Sequence, residues 1–226
     1  MRPVTFITLG FAPIIALIIY LYLLKKYEKS FMKLMIKSFL LGSLSLLLLL
    51  IAEYLSYIFE LNGLRNLKRI LFFSFVTIAF SSELGKFIIL RYFIIPSAII
   101  DRPIHAITMS VMTAMGFSTV AMIFFFLDSF NIRQPFPDTL YSFIYVPANI
   151  IFAMVMGFFL GMAGKGTSKL ILPLTGLAGA VIFHGIFNFC LLTPDYKLLS
   201  LFAFGSTIIV FTLGIKASFT RTELSQ

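Results

Sequence analysis

The stretch FSSELGKFIILR (80–91) decides how the chain is interpreted, because it places a carboxylate and an ammonium inside a long apolar run. Glu83 and Lys86 are three residues apart, and on a helix such positions are neighbours on one face. A charge at the centre of a bilayer costs about 3 kcal/mol on insertion scales and is found where it is paired or used. Two interpretations follow: an ion pair that neutralises itself for structural reasons, or part of a functional site.

The composition around this stretch is typical of a protein that crosses a membrane several times. The 226 residues are 60% hydrophobic and 12% charged, with a mean hydropathy of +1.02. A soluble domain of this length does not carry so much apolar surface. We attribute the formal charge of +9 to basic residues at cytoplasmic helix ends and predict no nucleic-acid partner. The single cysteine excludes an internal disulfide and a zinc site built on several thiolates.

Seven apolar runs are long enough to cross the hydrocarbon core of the bilayer as helices. They cover roughly residues 4–24, 38–59, 70–91, 104–127, 139–162, 170–192 and 198–216. The first run has no basic segment before it and no small-residue cleavage site, so we predict a retained helix rather than a signal peptide. The fold class predicted is an all-α bundle of about seven transmembrane helices in a single domain over residues 1–226.

The distribution of basic residues predicts the orientation of this bundle. If the predicted helices alternate in direction, eleven lysines and arginines fall on one side of the membrane and six on the other. The side with more positive charge is usually cytoplasmic, so we predict an N-terminus outside and a C-terminus inside. The densest basic cluster, KKYEKSFMK (25–33), fits this rule, and binding of anionic lipid is the alternative explanation.

A few polar side chains lie inside the predicted spans, where their positions are informative. They are Glu53, Glu83, Lys86, Asn149, His184 and Asn188. At a rise of about 1.5 Å per residue, Glu83, Asn149 and His184 fall near one level, slightly outside the midplane. We therefore predict that they share one polar pocket. Glu53 lies closer to the outer surface and is interpreted as a snorkelling or pore-facing carboxylate. For His184 with Asn188, a structural hydrogen-bonding pair between helices remains the alternative.

Several short motifs, in this order, resemble the PrsW family of intramembrane proteases. SELGKF (82–87) resembles the EExxK motif of that family, and NIIFAMVMGFFLGMA (149–163) resembles a segment that opens with His and continues through two glycines. HGIFNF (184–189) is similar to a terminal His-x-x-x-Asp/Asn motif. The resemblance covers most of the chain, and the family itself is similar to a wider glutamate-dependent group that includes CAAX-prenyl endopeptidases.

The resemblance implies a chemistry for the residues that fit the motifs. In the family, glutamates and histidines activate a water molecule for attack on a peptide bond, either directly or through a metal ion. The catalytic candidates here are Glu83, His184 and Asn188, and Glu83 and His184 are also the candidate ligands if the cofactor is zinc. A catalytic zinc needs three protein ligands, and adding His105 would complete such a set. We disfavour that site because His105 lies near the inner end of its span.

Other positions depart from the family pattern. Ser82 stands where the family has the first Glu of its motif, Ala121 and Met122 replace a Glu-Asn pair, and Asn149 replaces a His. Asparagine forms hydrogen bonds but cannot transfer protons as imidazole does. No base is evident beside Ser82, which we expect to bond to a carbonyl of its own helix. Residues assigned a supporting role in the site are Lys86, Asn149, Ser82 and Glu53.

These losses lead to two hypotheses about function. We expect a catalytically impaired relative that binds a single-span membrane protein or a peptide in a polar groove, within a bacterial inner membrane. The alternative is an active endopeptidase in which Glu83 and His184 activate water, with Glu53 assisting. A nearby ammonium favours ionised Glu83, which is a poorer base, and this favours the impaired form. A channel or transporter is disfavoured because no internal repeat is evident.

Overall fold

The fold is a bundle of helices, seen in a computed structural model that describes residues 3–61, 66–126, 138–163 and 168–220. Seven helical segments occur in these ranges, and no strand does. They are α1 (Pro3–Leu23), α2 (Lys29–Ile58), α3 (Leu67–Ile94), α4 (Pro103–Phe126), α5 (Asp138–Met162), α6 (Ser168–Leu192) and α7 (Tyr196–Phe219). The predicted all-α class is confirmed.

Six of these helices, α2 to α7, are long and apolar enough to cross a membrane, judged by length and composition. The apolar part of α1 with described side chains, Leu9–Leu23, is shorter. Large apolar side chains on the outside of the bundle, such as Leu201, Phe204 and Phe211 of α7, are exposed as a lipid-facing surface would require. The polytopic membrane bundle is thus confirmed, whereas its orientation and the single domain over residues 1–226 stay predictions.

Helix α2 begins earlier than the predicted span 38–59. It starts at Lys29, so part of the basic cluster expected in a loop is helical. Lys29 and Lys33 are exposed one turn apart, while Phe31 and Met35 are buried on the other face. This amphipathic pattern explains the longer helix, because long lysine side chains extend their ammonium groups to water while the apolar face packs on the bundle.

Helix α4 packs backbone to backbone against α2. Gly42 of α2 lies directly on the carbonyl group of Thr113, and Gly116 of α4 lies directly on that of Phe39. The hydroxyl of Ser43 donates a hydrogen bond to the carbonyl oxygen of Gly116 at 3.2 Å. Such close approach is possible only where side chains are missing at the contact. Small residues therefore hold α4 in the interior of the bundle.

Small residues also bring α5 against α4. A Cβ atom on Gly157 would meet Ser110, and one on Gly161 would meet Pro103 and Ala106. These are the two glycines of the GFFLG pattern (157–161), so helix packing is sufficient to explain that pattern. On the turns of α5 before these glycines, Asn149 contacts α3 and Phe152 contacts α6.

Helix α3 changes its backbone pattern along its length. Phe73–Phe80 and Leu90–Ile94 are π-helical, with hydrogen bonds from residue i to i+5, whereas Ser81–Ile89 between them is α-helical. The hydroxyl of Ser81 donates to the carbonyl oxygen of Thr77 at the first junction. Segments of π-helix are frequent at functional sites. Here two of them flank the α-helical segment that carries Glu83 and Lys86.

We predict that Gly116→Ala and Gly42→Ala destabilise the bundle. The added Cβ would overlap a main-chain carbonyl group, which cannot move aside as a flexible side chain can. Overpacking of this kind costs about 1–3 kcal/mol, seen as a lower thermal unfolding midpoint of the purified protein in detergent. Gly205→Ala in α7 is the matched control, because nothing lies within 4 Å of a Cβ there. Equal midpoints for all three variants would contradict the close packing.

Candidate functional site

The charged pair on α3 lies in the interior of the bundle. Glu83 is 0% exposed and Lys86 is 1% exposed, and Lys86 Nζ lies 2.6 Å from Glu83 Oε1. Their separation of three residues puts both groups on the same side of the α-helical turn between the two π-helical segments. The pair therefore neutralises itself where neither charge contacts solvent.

Helix α6 adds an imidazole to this pair. His184 Nδ1 lies 2.7 Å from Oε1 of Glu83, the same oxygen that Lys86 contacts, and His184 is 0% exposed. The ring of Phe152 from α5 stacks on the imidazole, with 4.6 Å between ring centroids and 20° between planes. The position of the imidazole is thus defined at its edge by Glu83 and over its face by Phe152.

Lys86 extends the site to α4 and α5. Its ammonium donates to Asn149 Oδ1 at 3.0 Å, and it lies 4.7 Å from the centroid of the Phe117 ring. Asn149 in turn donates through Nδ2 to the carbonyl oxygen of Tyr145, one turn earlier in α5. Side chains of α3, α4, α5 and α6 therefore meet around one carboxylate and one ammonium.

Three other candidates take less part in these contacts. Asn188 is buried one turn after His184 and donates through Nδ2 to the carbonyl oxygen of His184 at 3.1 Å. Ser82 is fully buried, but its hydroxyl has no hydrogen-bond partner within the described ranges, so the predicted bond to its own helix is wrong. Glu53 is half-buried on α2 and forms no hydrogen bond or ion pair with the rest of the described chain. It is therefore not joined to the Glu83–Lys86 pair by any of these contacts.

Two atoms of the Glu83–His184 pair remain unengaged. In the described part of the chain, neither Glu83 Oε2 nor His184 Nε2 has a hydrogen-bond partner, although both are buried. Lys86 makes Glu83 the ionised partner, and a carboxylate oxygen only accepts hydrogen bonds. Nδ1 of His184 must then carry a proton, and in the neutral form of the ring this leaves Nε2 as an acceptor. The pair thus offers two acceptor atoms suited to the protons of a water molecule.

His105 belongs to a different part of the bundle. Its ring packs edge-on against Tyr27 at 5.3 Å and Phe31 at 5.1 Å between centroids, and its Nδ1 lies 2.7 Å from Asp101. Within the described residues, no group of three His, Cys, Asp or Glu side chains is placed to hold a metal ion. Glu83 and His184 alone do not supply the three ligands of a catalytic zinc, so the site does not fit one.

Phe152 and Phe117 are contacts of the site that the sequence did not reveal. Both are 0% exposed and touch the imidazole and the ammonium, respectively. With 28 phenylalanines in the chain, an apolar ring in a membrane span carries no distinguishing signal. The one available signal was spacing, since Phe152 follows Asn149 by three residues and so shares its helix face.

Comparison of the sequence with known proteins identifies a family. The family described as "PrsW family intramembrane metalloprotease" matches residues 31–215. Protease PrsW of Bacillus subtilis is 27% identical over 187 residues, covering 82% of this chain and 82% of that protein. Protease PrsW of Oceanobacillus iheyensis is 27% identical over 184 residues, with 80% of each covered, and that of Shouchella clausii is 26% identical over 196 residues, with 83% and 84% covered.

No solved structure matches the chain. The family match spans most of the described helices and contains the turn of α3 with Glu83 and the turn of α6 with His184. The chain is an integral membrane protein by its helices, and by this match it belongs to the PrsW family of intramembrane metalloproteases.

Proposed function

We propose that this chain is an intramembrane endopeptidase of the bacterial plasma membrane, in which Glu83 and His184 activate the water molecule that cleaves a peptide bond. The observation that supports this most is the 2.7 Å contact between the two side chains, with one acceptor atom of each left unengaged. The sequence alone favours an impaired relative, because three expected proton-handling groups are replaced and because Lys86 favours ionised Glu83, a poorer base. The contacts from Lys86 and from His184 both use Oε1, however, so Oε2 is available as a base.

The reaction follows from the roles of these atoms. A water proton passes to Glu83 Oε2 or His184 Nε2, and the water oxygen forms a bond to the carbonyl carbon of the substrate. The tetrahedral oxyanion needs N–H donors, and each of Asn149 and Asn188 uses one Nδ2 hydrogen within its own helix and retains a second. The C–N bond then breaks, and the abstracted proton moves to the departing amine. No step here uses a metal ion, because the donor set does not fit one.

The burial of the pair restricts what the substrate can be. Glu83 and His184 are 0% exposed, so a polypeptide reaches them only between helices of the bundle. A single-span membrane protein, whose backbone can unwind where it lines a polar site, fits this position better than a soluble protein does. The relatives are named as proteases, and this chain's substrate class is inferred from its geometry and that kinship.

A non-catalytic function is the second candidate, and the identity of two residues favours it. Asn149 and Ser82 stand where the family resemblance implies His and Glu, and neither side chain transfers a proton readily at neutral pH. In this alternative the polar pocket binds a membrane protein or peptide without cleaving it. The fold and the contacts of Glu83 would then serve recognition alone.

We predict that Glu83→Gln and His184→Ala each reduce cleavage of a single-span membrane substrate at least about a hundredfold, because each removes one partner of the water-activating pair. The measurement is the rate of product formation by purified protein in lipid nanodiscs. Glu28→Gln is the matched control for the first variant, since Glu28 is exposed at the start of α2. Wild-type rates in Glu83→Gln would contradict the proposed reaction.

A result without any cleavage separates the two candidates further. If wild type cleaves none of the substrates tested, while it and both variants remain folded and bind a membrane partner, the non-catalytic function stands and the endopeptidase is rejected. If wild type cleaves and both variants do not, the non-catalytic function is rejected.

We predict that Lys86→Met lowers the stability of the bundle under either function. It leaves the carboxylate of Glu83 buried without its ammonium partner, and breaking a buried pair in this way costs about 3–5 kcal/mol. Thermal unfolding in detergent measures the loss, with Lys33→Met, an exposed lysine on α2, as the control. An unfolding midpoint equal to that of the control would show that the ion pair contributes nothing to stability.

A further inference from the structure

Lys86 occupies a position in this site that is complementary to a cation on several sides. Its ammonium lies 2.6 Å from a carboxylate oxygen of Glu83, 3.0 Å from the amide oxygen of Asn149 and 4.7 Å from the face of the Phe117 ring. Carboxylates, amide oxygens and aromatic faces all attract positive charge. With 1% of Lys86 exposed, these protein groups replace water around the ammonium.

The same groups are unavailable to a metal ion. Glu83 Oε1 and Asn149 Oδ1, the oxygens nearest the ammonium, already accept its hydrogen bonds. Only Glu83 Oε2 and His184 Nε2 remain, and a divalent ion bound there would be close to the positive charge of Lys86. Desolvation by the surrounding helices would strengthen that repulsion.

The rest of the sequence offers few alternative ligands. The chain has two histidines, and His105 packs against Tyr27 and Phe31 away from the pair. Cys190 is buried on α6 six residues after His184, on a different face of that helix. Within the described ranges, no third His, Cys, Asp or Glu joins the pair.

We propose that the ammonium of Lys86 is the resident cation of this site, and that the Glu83–His184 pair works without a metal ion although the family is described as one of metalloproteases. Lys86 then has two roles: it keeps Glu83 ionised, and so fixes His184 as the Nδ1–H form with Nε2 free to accept a proton. Asn149 supports this arrangement because its amide oxygen accepts a hydrogen bond from the ammonium. An imidazole at this position would instead offer a nitrogen ligand to a metal ion.

The inference deepens the proposed endopeptidase function, but its test does not depend on cleavage. Wild type, Glu83→Gln and the double variant Lys86→Met/Asn149→His are purified, incubated with zinc chloride in about tenfold excess, freed of unbound metal and assayed for zinc by mass spectrometry. Unfolding midpoints with and without zinc give a second measure, because a ligand that binds only the folded state raises the midpoint.

The expected result is that wild type and Glu83→Gln retain the same low zinc content, far below one ion per chain, and that zinc leaves their midpoints unchanged. The double variant, which removes the ammonium and supplies a third ligand, should retain about one zinc ion per chain with a raised midpoint. Wild type that retains about one zinc ion per chain, lost in Glu83→Gln, would overturn the proposal. A folded double variant that binds no zinc would also overturn it.

If the double variant does not fold, the comparison of wild type with Glu83→Gln still decides. Any cleavage by wild type gives an additional measure, because a zinc chelator should leave a metal-free rate unchanged. Loss of cleavage with the chelator, restored by added zinc, counts against the proposal. An inactive wild type that also binds no zinc rejects the endopeptidase function while leaving Lys86 as the resident cation.

Discussion

Oxygen Oε1 of Glu83 is the point on which the arrangement of this bundle depends. It accepts from the ammonium of Lys86 and lies against the imidazole of His184, and the ammonium reaches on to Asn149. Buried charges carry a large desolvation cost that only close and complete pairing offsets. Pairing Oε1 with both partners, and the ammonium with Asn149, therefore requires α3, α5 and α6 to take fixed positions.

Close backbone packing creates the conditions for that cluster. Gly42 and Gly116 let α4 lie directly against α2, and α5 packs on an earlier stretch of α4 through Gly157 and Gly161. The interior is then narrow enough for a single lysine side chain to extend from α3 to α5. A π-helical segment lies on each side of Ser81–Ile89, the α-helical part of α3 that carries Glu83 and Lys86. The ring of Phe117 lies against the ammonium of Lys86, and the ring of Phe152 stacks on the imidazole of His184.

Kinship and geometry give partly different information about the chemistry. The family match identifies a class of membrane proteases and describes them as metal-dependent. In this chain the acid and the imidazole are in contact, and Asn149, where the family resemblance implies an imidazole, bonds to an ammonium. A site with one carboxylate–imidazole pair and a buried lysine has fewer groups that transfer protons or bind ions than a site with two histidines. What this chain has is a polar, fully buried site inside the bundle.

The all-α membrane class, six of the helices to within a few residues, and the family were predictable from the sequence, because apolar length, charge and motif order are local properties of the chain. The predicted start of α2 was wrong, because exposed lysines interrupt the apolar run at the beginning of this amphipathic helix. The contact of Glu83 with His184 and the hydrogen bond from Lys86 to Asn149 became visible only in the folded bundle. Depth along a helix follows from residue number, but the direction a side chain faces depends on helix rotation, which glycine contacts and π-helical turns set in this bundle.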